Sequence, residues 1–163
     1  MIPCQSIEEL NNLVEEWKSR GEKVVFTNGV FDILHLGHVT YLQKASELGD
    51  KLVVAINDDA SVKKLNKGAE RPINPQDART AVICALRCVS ATIIFNEDTP
   101  LEVIKEILPD VLVKGSDYDP DEKDPSRKSY IVGSKEVAEN GGKVVAIDLV
   151  QGYSTTGIVN RMK

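Results

Sequence analysis

Two histidines, His35 and His38, lie three positions apart with Gly37 between them, and the sequence contains no other histidine. An apolar run over residues 23–26 precedes the pair, and a helical pattern over residues 39–48 follows it. The pair is therefore predicted where a strand gives way to a helix, which is where an open α/β sheet binds its ligand. Free N–H groups in the first helical turn suit a phosphate. Histidines that donate hydrogen bonds from this place would stabilise charge on a phosphoryl group in transfer.

Two other roles stay open for the histidine pair from its spacing alone. One is a helix cap, and the other is a zinc site, because positions i and i+3 share a helix face. A zinc site needs further ligands, but the three cysteines, Cys4, Cys84 and Cys88, lack the spacing of a metal site. Their odd count indicates a reducing cytoplasm, and Cys84 and Cys88 fit buried apolar positions better than a redox pair.

Polar residues also follow other predicted strands. Asn57 and Asp58 end one apolar run, where they would either contact a ribose or base or cap the next helix. Lys114 follows a later run, and a charged residue at this edge of a sheet indicates function. Arg79, early in a helix, would lie close to a nucleotide phosphate. The hydroxyl run at residues 154–156 opens the last helix, whose N–H groups would hold a second phosphate.

Alternating strand and helix signals predict one α/β domain over residues 1–163, with a single doubly wound, five-stranded parallel sheet of the Rossmann-like kind. Residues 1–21 carry an N-terminal helix that Ser6 caps, and residues 22–163 form the catalytic core. The five strands are predicted at residues 24–27, 52–57, 91–95, 111–113 and 142–147.

Local signals predict two further helix starts and one loop. Asn74 is predicted as an N-cap with Pro75 as the first helical residue, and Thr99 as the N-cap of the following helix. The basic stretch over residues 63–72 is predicted as a loop that is either solvated or closes over phosphates. The dinucleotide fingerprint and the P-loop are both absent from the sequence, so a phosphate site must be built in another way.

Composition narrows the class of protein. The 163 residues are 42% hydrophobic and 28% charged, as in soluble globular domains. A net charge of −5 disfavours broad nucleic-acid binding. No apolar run approaches the roughly 18 residues of a membrane span, and residues 1–4 lack the pattern of a signal peptide. We therefore expect a cytoplasmic protein that binds small molecules, without a nucleic-acid or membrane partner.

The stretch from Gly29 to His38 resembles the signature of the cytidylyltransferase-like nucleotidyltransferases. That signature is Gly-x-Phe-Asp-x-x-His-x-Gly-His, and the sequence matches it at every fixed position. Within the family, further stretches resemble the adenylyltransferases that act on heptose 1-phosphate, so that the resemblance covers residues 22–163. These stretches are residues 48–50, 53–59, 71–75, 98–100, 107–110, 113–118, 133–137 and 152–156.

The resemblance implies transfer of AMP from ATP to D-glycero-β-D-manno-heptose 1-phosphate. The products would be ADP-heptose, for lipopolysaccharide core precursor synthesis, and pyrophosphate. It also implies Mg²⁺ bound on the triphosphate rather than in a protein cage. A homodimer or higher homo-oligomer is expected, and a separate sugar kinase would act upstream.

The same resemblance implies roles for individual residues. His35 and His38 would donate hydrogen bonds to the nucleotide phosphates and the pentacoordinate transition state, and Lys114 would contact the sugar phosphate or the nucleotide. Asp32 would organise the turn, and Arg79 would hold the β- and γ-phosphates together with the start of the last helix. The nucleotide-binding set is completed by Thr27, Asn28, Gly29, Phe31, Gly37, Asn57, Asp58, Gly115, Asp117, Ser154, Thr155 and Thr156.

Two features depart from the family pattern. Ser46 stands where several relatives carry a phosphate-binding lysine, although Lys44 is close by, and the segment 119–130 is longer than expected. Three alternatives stay open. The first is a transferase with another substrate, namely a glycerol-3-phosphate or phosphoethanolamine cytidylyltransferase or another sugar-phosphate adenylyltransferase. The others are a nucleotide-binding module without turnover and a metal-binding interaction domain.

Overall fold

The computed structural model describes residues 2–65, 68 and 70–162, and over these residues strands and helices alternate along the chain. The strands are β1 (Ile2–Cys4), β2 (Val24–Gly29), β3 (Lys51–Asn57), β4 (Ala91–Phe95), β5 (Val111–Gly115) and β6 (Lys143–Ile147). The helices are α1 (Ile7–Ser19), α2 (Leu36–Ser46), α3 (Asp59–Lys64), α4 (Gln76–Cys84), α5 (Leu101–Ile107), α6 (Ser134–Glu139) and α7 (Thr155–Arg161).

All strands pair in parallel in one sheet with the order β1-β4-β3-β2-β5-β6. The predicted parallel α/β sheet is confirmed, but the predicted number of five strands was wrong. The sixth strand of the described sheet is β1, which lies at an edge with Ile2 opposite Ala91. Three residues are too few to show a strand pattern, and Pro3, which lacks an N–H, is tolerated at a sheet edge.

Strand order reverses next to β2. The chain runs outward from β2 through β3 to β4 on one side, and from β5 to β6 on the other. The boundary between β2 and β5 is therefore the topological switch point. In open α/β sheets, ligands bind in the crevice at the carboxyl ends of the strands at this point.

Helices cover both faces of the sheet and enclose two hydrophobic clusters. Helices α1, α5 and α6 pack on one face, and α2 and α4 on the other. The N-terminal helix is part of the first cluster through Leu10, Val14 and Trp17. Lys18 ties it further to α5, because Nζ donates to the carbonyls of Ile107 and Leu108 at 2.8 and 2.7 Å.

Several local boundaries differ from the sequence predictions. Pro75 and Pro100 hold the N-cap positions of α4 and α5, so the predicted caps Asn74 and Thr99 were wrong. Helix α3 extends into the predicted loop 63–72, and within that loop Asn66, Lys67 and Ala69 lie outside the described residues.

The cysteines occupy apolar surroundings. Cys4 and Cys84 are buried, Cys88 is half-buried, and all three are free thiols. Burial raises the pKa of the Cys4 thiol to about 11, which keeps it protonated and unreactive. Within the described part of the chain, none of the helices has the length and apolar character that a membrane crossing requires.

Candidate active site

A crevice opens between β2 and β5 because their backbone pairing stops before either strand ends. The last paired residues are Phe26 and Leu112, whereas the strands continue to Gly29 and Gly115. Beyond that point side chains replace the backbone ladder. The hydroxyl of Thr27 donates to the Val113 carbonyl at 3.0 Å, and Lys114 Nζ donates to Asn28 Oδ1.

The crevice widens into a cleft of about 690 Å³. It lies at the switch point, where the topology places ligand sites. Residues from the ends of β2 and β5, the start of α2 and the start of α7 meet there. The predicted site residues that line the cleft are Asn28, Gly29, Phe31, Asp32, His35, Gly37, His38, Asn57, Lys114, Gly115, Asp117, Ser154, Thr155 and Thr156.

The two histidines are held as a stacked pair at the start of α2. Their ring centroids are 3.7 Å apart with 21° between the planes. His35 is the N-cap residue, and its Nδ1 accepts a hydrogen bond from the His38 backbone N–H at 3.4 Å. Because Nδ1 accepts, the proton of the neutral ring is assigned to Nε2, which leaves Nε2–H as a donor. Burial lowers the pKa of His35, which favours this neutral form.

The helix-cap role that spacing left open is therefore real, but it does not compete with a ligand role. Capping uses Nδ1 of His35, whereas the opposite nitrogen stays available to the cleft. The glycine between the histidines is also required for space. A Cβ on Gly37 would lie 3.0 Å from the His35 ring and 3.3 Å from Tyr153 Cβ, so a side chain there would push the start of α2 away from the loop before α7.

Phe31 adopts a left-handed backbone conformation, with φ of 47°. Its ring lies over Gly29, where a Cβ would be only 2.9 Å from it. The same ring meets His38 edge to face, with centroids 5.2 Å apart. A non-glycine residue at positive φ costs free energy, and the benefit visible here is the packing that fixes His38 in place.

Asp32 fastens the loop between β2 and α2 to the segment before α4. Its carboxylate accepts from the backbone N–H groups of Ile73 and Asn74 at 2.9 and 2.8 Å, and from the Arg71 guanidinium. The Asn74 side chain, predicted as a cap, instead donates to the Asp32 carbonyl at 2.6 Å. Burial alone would raise the pKa of Asp32, but these donors outweigh it and lower the pKa. The predicted role of Asp32 in organising the turn agrees with these contacts.

Lys114 supplies a positive charge on the β5 side of the cleft. Besides its bond to Asn28, its Nζ lies 5.3 Å from the centroid of the Tyr118 ring. Burial lowers its pKa to about 8, and the nearby Asp117 carboxylate opposes that shift. The free protein therefore holds this lysine close to the point where it loses its charge at mildly alkaline pH.

The start of α7 lines the same cleft as the histidines. Ser154 caps the helix, because its Oγ accepts from the Gly157 N–H at 3.0 Å. Thr155 is mostly buried and Thr156 is exposed, and both line the cleft. The cap uses one hydroxyl of the run, which leaves two hydroxyls and the remaining N–H groups of the first turn as donors.

Three predicted site residues do not line the cleft: Thr27, Asp58 and Arg79. Thr27 is fully buried beneath it. Asp58 is the N-cap of α3, and its carboxylate accepts from the Ser61 N–H at 2.7 Å. The capping role that the sequence left open for Asp58 is therefore the one that this geometry uses.

Arg79 lies inside the protein with its side chain fully buried. A guanidinium has five N–H donors, and four of them are used. They reach the carbonyls of Asn74, Val30 and Asn57 at 3.0, 2.7 and 2.7 Å and the Asp59 carboxylate at 2.7 Å. The predicted contact of Arg79 with ATP phosphates is not supported by this placement. Its position early in a helix gave no sign that the side chain points inward.

Sequence reasoning also missed residues that line the cleft. Tyr41 lies three residues after His38 on the same helix face, and this spacing was a usable signal. Arg71 lies within the predicted loop 63–72 and had no local signal for burial, because its partner Asp32 is distant in sequence. Ser46 and Lys44 do not line the cleft, and the Ser46 hydroxyl donates to the Gln43 carbonyl at 2.7 Å.

Among residues 2–65, 68 and 70–162, no group of three or more His, Cys, Asp or Glu side chains is arranged to hold a metal ion.

A family model described as cytidylyltransferase-like matches residues 26–161 of the chain. The bifunctional protein HldE of Gluconobacter oxydans (strain 621H) is 50% identical over 157 residues, which are 96% of this chain and 31% of that protein. The protein of the same name from Escherichia coli O1:K1 is 52% identical over 156 residues, again 96% of this chain and 31% of the relative. The chain thus spans about a third of the length of these curated relatives.

Two solved structures are also similar. The lipopolysaccharide core biosynthesis protein from Thermoplasma volcanium GSS1 is 30% identical with a TM-score of 0.60, covering 82% of this chain and 100% of that one. The pantoate-beta-alanine ligase from Francisella tularensis, complexed with beta-gamma ATP and beta-alanine, has a TM-score of 0.64 at 13% identity, covering 98% of this chain and 73% of that one. The second likeness concerns the fold alone.

Proposed function

Because the chain belongs to the cytidylyltransferase-like family, we propose that it is an adenylyltransferase that acts on a sugar 1-phosphate. The donor is ATP and the acceptor is D-glycero-β-D-manno-heptose 1-phosphate, so the products are ADP-heptose and pyrophosphate. The motifs that resemble heptose 1-phosphate adenylyltransferases support this acceptor. The Thermoplasma relative is named as a lipopolysaccharide core biosynthesis protein, which supports a role for this chain in making lipopolysaccharide precursors.

One observation carries the proposal: a single cleft is lined by the stacked histidines, by Lys114 and by the start of α7. Each of the three supplies hydrogen-bond donors or positive charge. Together they surround a space of about 690 Å³, the size of a nucleotide-binding pocket. A transfer reaction between two phosphate-bearing substrates needs such donors and positive charge around one shared space.

The reaction is an in-line displacement at the α-phosphorus of ATP. An oxygen of the acceptor phosphate forms a bond to the α-phosphorus while the bond to the oxygen bridging to the β-phosphorus breaks, and pyrophosphate leaves with that electron pair. The acceptor oxygen is already anionic, so the step needs no general base. This agrees with a cleft built from donors and lacking an arrangement for nucleophilic catalysis among the residues named above.

His35 and His38 act as donors to the phosphate oxygens on which charge builds. The tautomer of His35 is fixed by its cap bond, so its Nε2–H is oriented before substrate binds. A donor that is already oriented toward the oxygen on which charge develops stabilises the transition state more than the ground state. Lys114 neutralises the acceptor phosphate or the α-phosphate from the β5 side.

The start of α7 holds the β- and γ-phosphates through the hydroxyls and N–H groups of Ser154, Thr155 and Thr156. Mg²⁺ is expected together with the triphosphate, where it would neutralise phosphate charge beside these residues. The nucleoside lies along the ends of β2 and β3, over Asn28, Gly29, Phe31 and Asn57.

We also propose the setting in which the enzyme acts. Residues 1–163 form one nucleotidyltransferase domain, since α1 shares the hydrophobic core of the sheet. The domain works in the cytoplasm as a homodimer or higher homo-oligomer, which light scattering can measure. A sugar kinase must act before it, because the acceptor carries a phosphate on its anomeric carbon.

The deciding experiment is pyrophosphate release with ATP or CTP, each paired with heptose 1-phosphate or glycerol 3-phosphate. The proposal expects turnover with ATP and heptose 1-phosphate that exceeds the other three pairs by at least about 100-fold in kcat/KM. Preference for CTP with glycerol 3-phosphate would replace it with the cytidylyltransferase alternative. Binding of ATP without pyrophosphate release from any pair would favour a module without turnover.

A further inference from the structure

A chain of hydroxyls runs from the cleft into the sheet. Tyr41 Oη and Thr27 Oγ1 are 2.7 Å apart, and Thr27 Oγ1 is 3.0 Å from the Val113 carbonyl oxygen. A carbonyl can only accept, so the single hydroxyl proton of Thr27 goes to Val113. Thr27 then has no proton left for its neighbour, and Tyr41 must donate its own proton to Thr27. The hydrogen-bond network thus assigns the direction of both bonds.

The proton of Tyr41 stays on the oxygen. Burial raises the pKa of this hydroxyl well above its usual range, and the bond to Thr27 only partly opposes the shift. A protonated tyrosine has one donor and two acceptor lone pairs. Because the donor is committed to Thr27, Tyr41 Oη can act toward the cleft only as an acceptor.

Tyr41 is one of the residues at the floor of the cleft. It lines the cleft, although only 8% of the residue is exposed and its ring packs in the second hydrophobic cluster. Asp117 and Tyr118, which also line the cleft, both act electrostatically on the Tyr41 hydroxyl. The hydroxyl therefore lies in the corner of the cleft that is bounded by α2 and the end of β5.

This corner combines one cation with two acceptors. Lys114 provides the positive charge, and Asp117 and Tyr41 provide oxygen atoms without a proton to donate. A phosphate oxygen gains nothing from either acceptor, since it has no proton to give and is repelled by the Asp117 carboxylate. A substrate hydroxyl, by contrast, can donate to either of them while a phosphate on the same molecule meets Lys114.

We propose that Tyr41 is a specificity-determining residue that accepts a hydrogen bond from a hydroxyl of the acceptor substrate. The corner between α2 and β5 thus takes the polyhydroxylated part of a sugar phosphate rather than the triphosphate. Thr27 is a positioning residue that acts through Tyr41. The inference rests on the proposed function and adds to it the residue that selects a sugar.

The test is Tyr41→Phe, which keeps the ring and removes only the oxygen. We expect the KM for heptose 1-phosphate to rise about tenfold, as for the loss of one hydrogen bond to a bound ligand. The KM for ATP should stay within about twofold. All four tyrosines line the cleft, so no tyrosine elsewhere offers a matched control, and the KM for ATP is the internal one.

Acceptor analogues test the same bond without changing the protein. Among monodeoxy analogues of heptose 1-phosphate, one should bind the wild type about tenfold more weakly and show no further loss with Tyr41→Phe. The deoxyfluoro analogue at that position should be as weak as the deoxy one, because fluorine cannot donate to Tyr41. The wild-type measurements show whether a substrate hydroxyl donates a hydrogen bond in this corner, and the comparison with Tyr41→Phe assigns that bond to Tyr41 rather than Asp117.

Four outcomes would contradict the inference. An unchanged KM for heptose 1-phosphate in Tyr41→Phe, or an equal rise in both KM values, would overturn it while leaving the proposed function intact. Full affinity of every deoxy analogue, or of the deoxyfluoro analogue, would do the same. A wild-type protein that releases no pyrophosphate with ATP and any sugar phosphate would overturn the proposed function, and this inference with it.

Discussion

The ends of β2 and β3 are neighbours at the same edge of the sheet, and both carry polar residues, but they use them differently. After β2, Asn28 and the two histidines line the cleft. After β3, the Asp58 carboxylate caps α3, and the Asn57 carbonyl accepts from the buried Arg79. The first end presents its polar groups to the cleft, whereas the polar groups of the second end mainly form hydrogen bonds within the fold.

The length of the connection explains the difference. A single residue, Asp58, separates β3 from α3, so its side chain is in reach of the unsatisfied N–H groups of that helix. Six residues, 30–35, separate β2 from α2. That longer loop passes through the left-handed Phe31 and is fixed by Asp32, which allows the histidines to face the cleft. A polar residue after a buried strand is therefore a good candidate for a functional residue only where its side chain is not the N-cap of the next helix.

The largest effect on stability is expected at the β3 end, from Arg79→Met. The substitution leaves the carbonyls of Val30 and Asn57 without a donor and Asp59 without its partner. We expect the free energy of unfolding to fall by about 3–5 kcal/mol, measured by urea denaturation. ATP should still raise the thermal midpoint of the folded variant. Unchanged stability with a much higher KM for ATP would instead make Arg79 the phosphate ligand that the sequence predicted.

The largest effect on activity is expected at the β2 end, from His38→Ala. Turnover should fall about 10²–10³-fold, as when one donor to a transition-state oxygen is removed, with circular dichroism and the KM for ATP little changed. Pyrophosphate release measures the rate. His38→Asn, which keeps a donor at a similar place, is the matched variant and should recover part of the loss. Turnover of His38→Ala close to that of the wild type would show that this end of the sheet is not catalytic.

Deprotonation of Lys114 is expected to change activity and stability in opposite directions as the pH rises. Because the lysine must be charged to bind phosphate, kcat/KM should decline above pH 8, approaching tenfold per unit, while phosphate monoesters are already fully ionised there. Folding lowers this pKa from about 10.5 to about 8, so between those values the folded state binds fewer protons than the unfolded one. The contribution of Lys114 to stability therefore rises with pH in that window.

Lys114→Arg is the control for this profile. Arginine keeps its charge throughout the range, so the alkaline decline should disappear even if the rate is lower overall. A decline that persists unchanged in Lys114→Arg would assign the titration to another group.

The smallest effect is expected from Asp58→Ala at the β3 end. Loss of the cap should cost about 1 kcal/mol of stability, and Asp58→Ser, which can still cap, should cost less. Neither variant should change the KM for ATP by more than about twofold. A large rise in that KM, equal in both variants, would indicate that Asp58 contacts the nucleotide. The two strand ends would then differ less than the hydrogen bonds suggest.

Much of the fold followed from the sequence because its signals are local. Apolar runs gave β2 to β6, and the capping pattern around Ser6 gave α1, whose cap bond from the Glu9 N–H to Ser6 Oγ is 3.1 Å. The prediction failed where local signals were weak or misleading. Strand β1 is too short to show a pattern. Asn74 resembles an N-cap residue in the sequence, but its side chain donates to the carbonyl of Asp32, forty-two positions away.

The sequence by itself determined the order of strands β2 to β6, the parallel sheet and the stretch from Gly29 to His38, because patterning and spacing are carried by neighbouring residues. Only the tertiary structure decided which polar side chains line the cleft and which are used inside the fold. Arg79 points inward to Val30 and Asn57, and Tyr41 received its acceptor role from Thr27 and Val113. Those outcomes depend on hydrogen-bond partners far apart in sequence, and a buried polar group takes whichever partner the packed fold brings within reach.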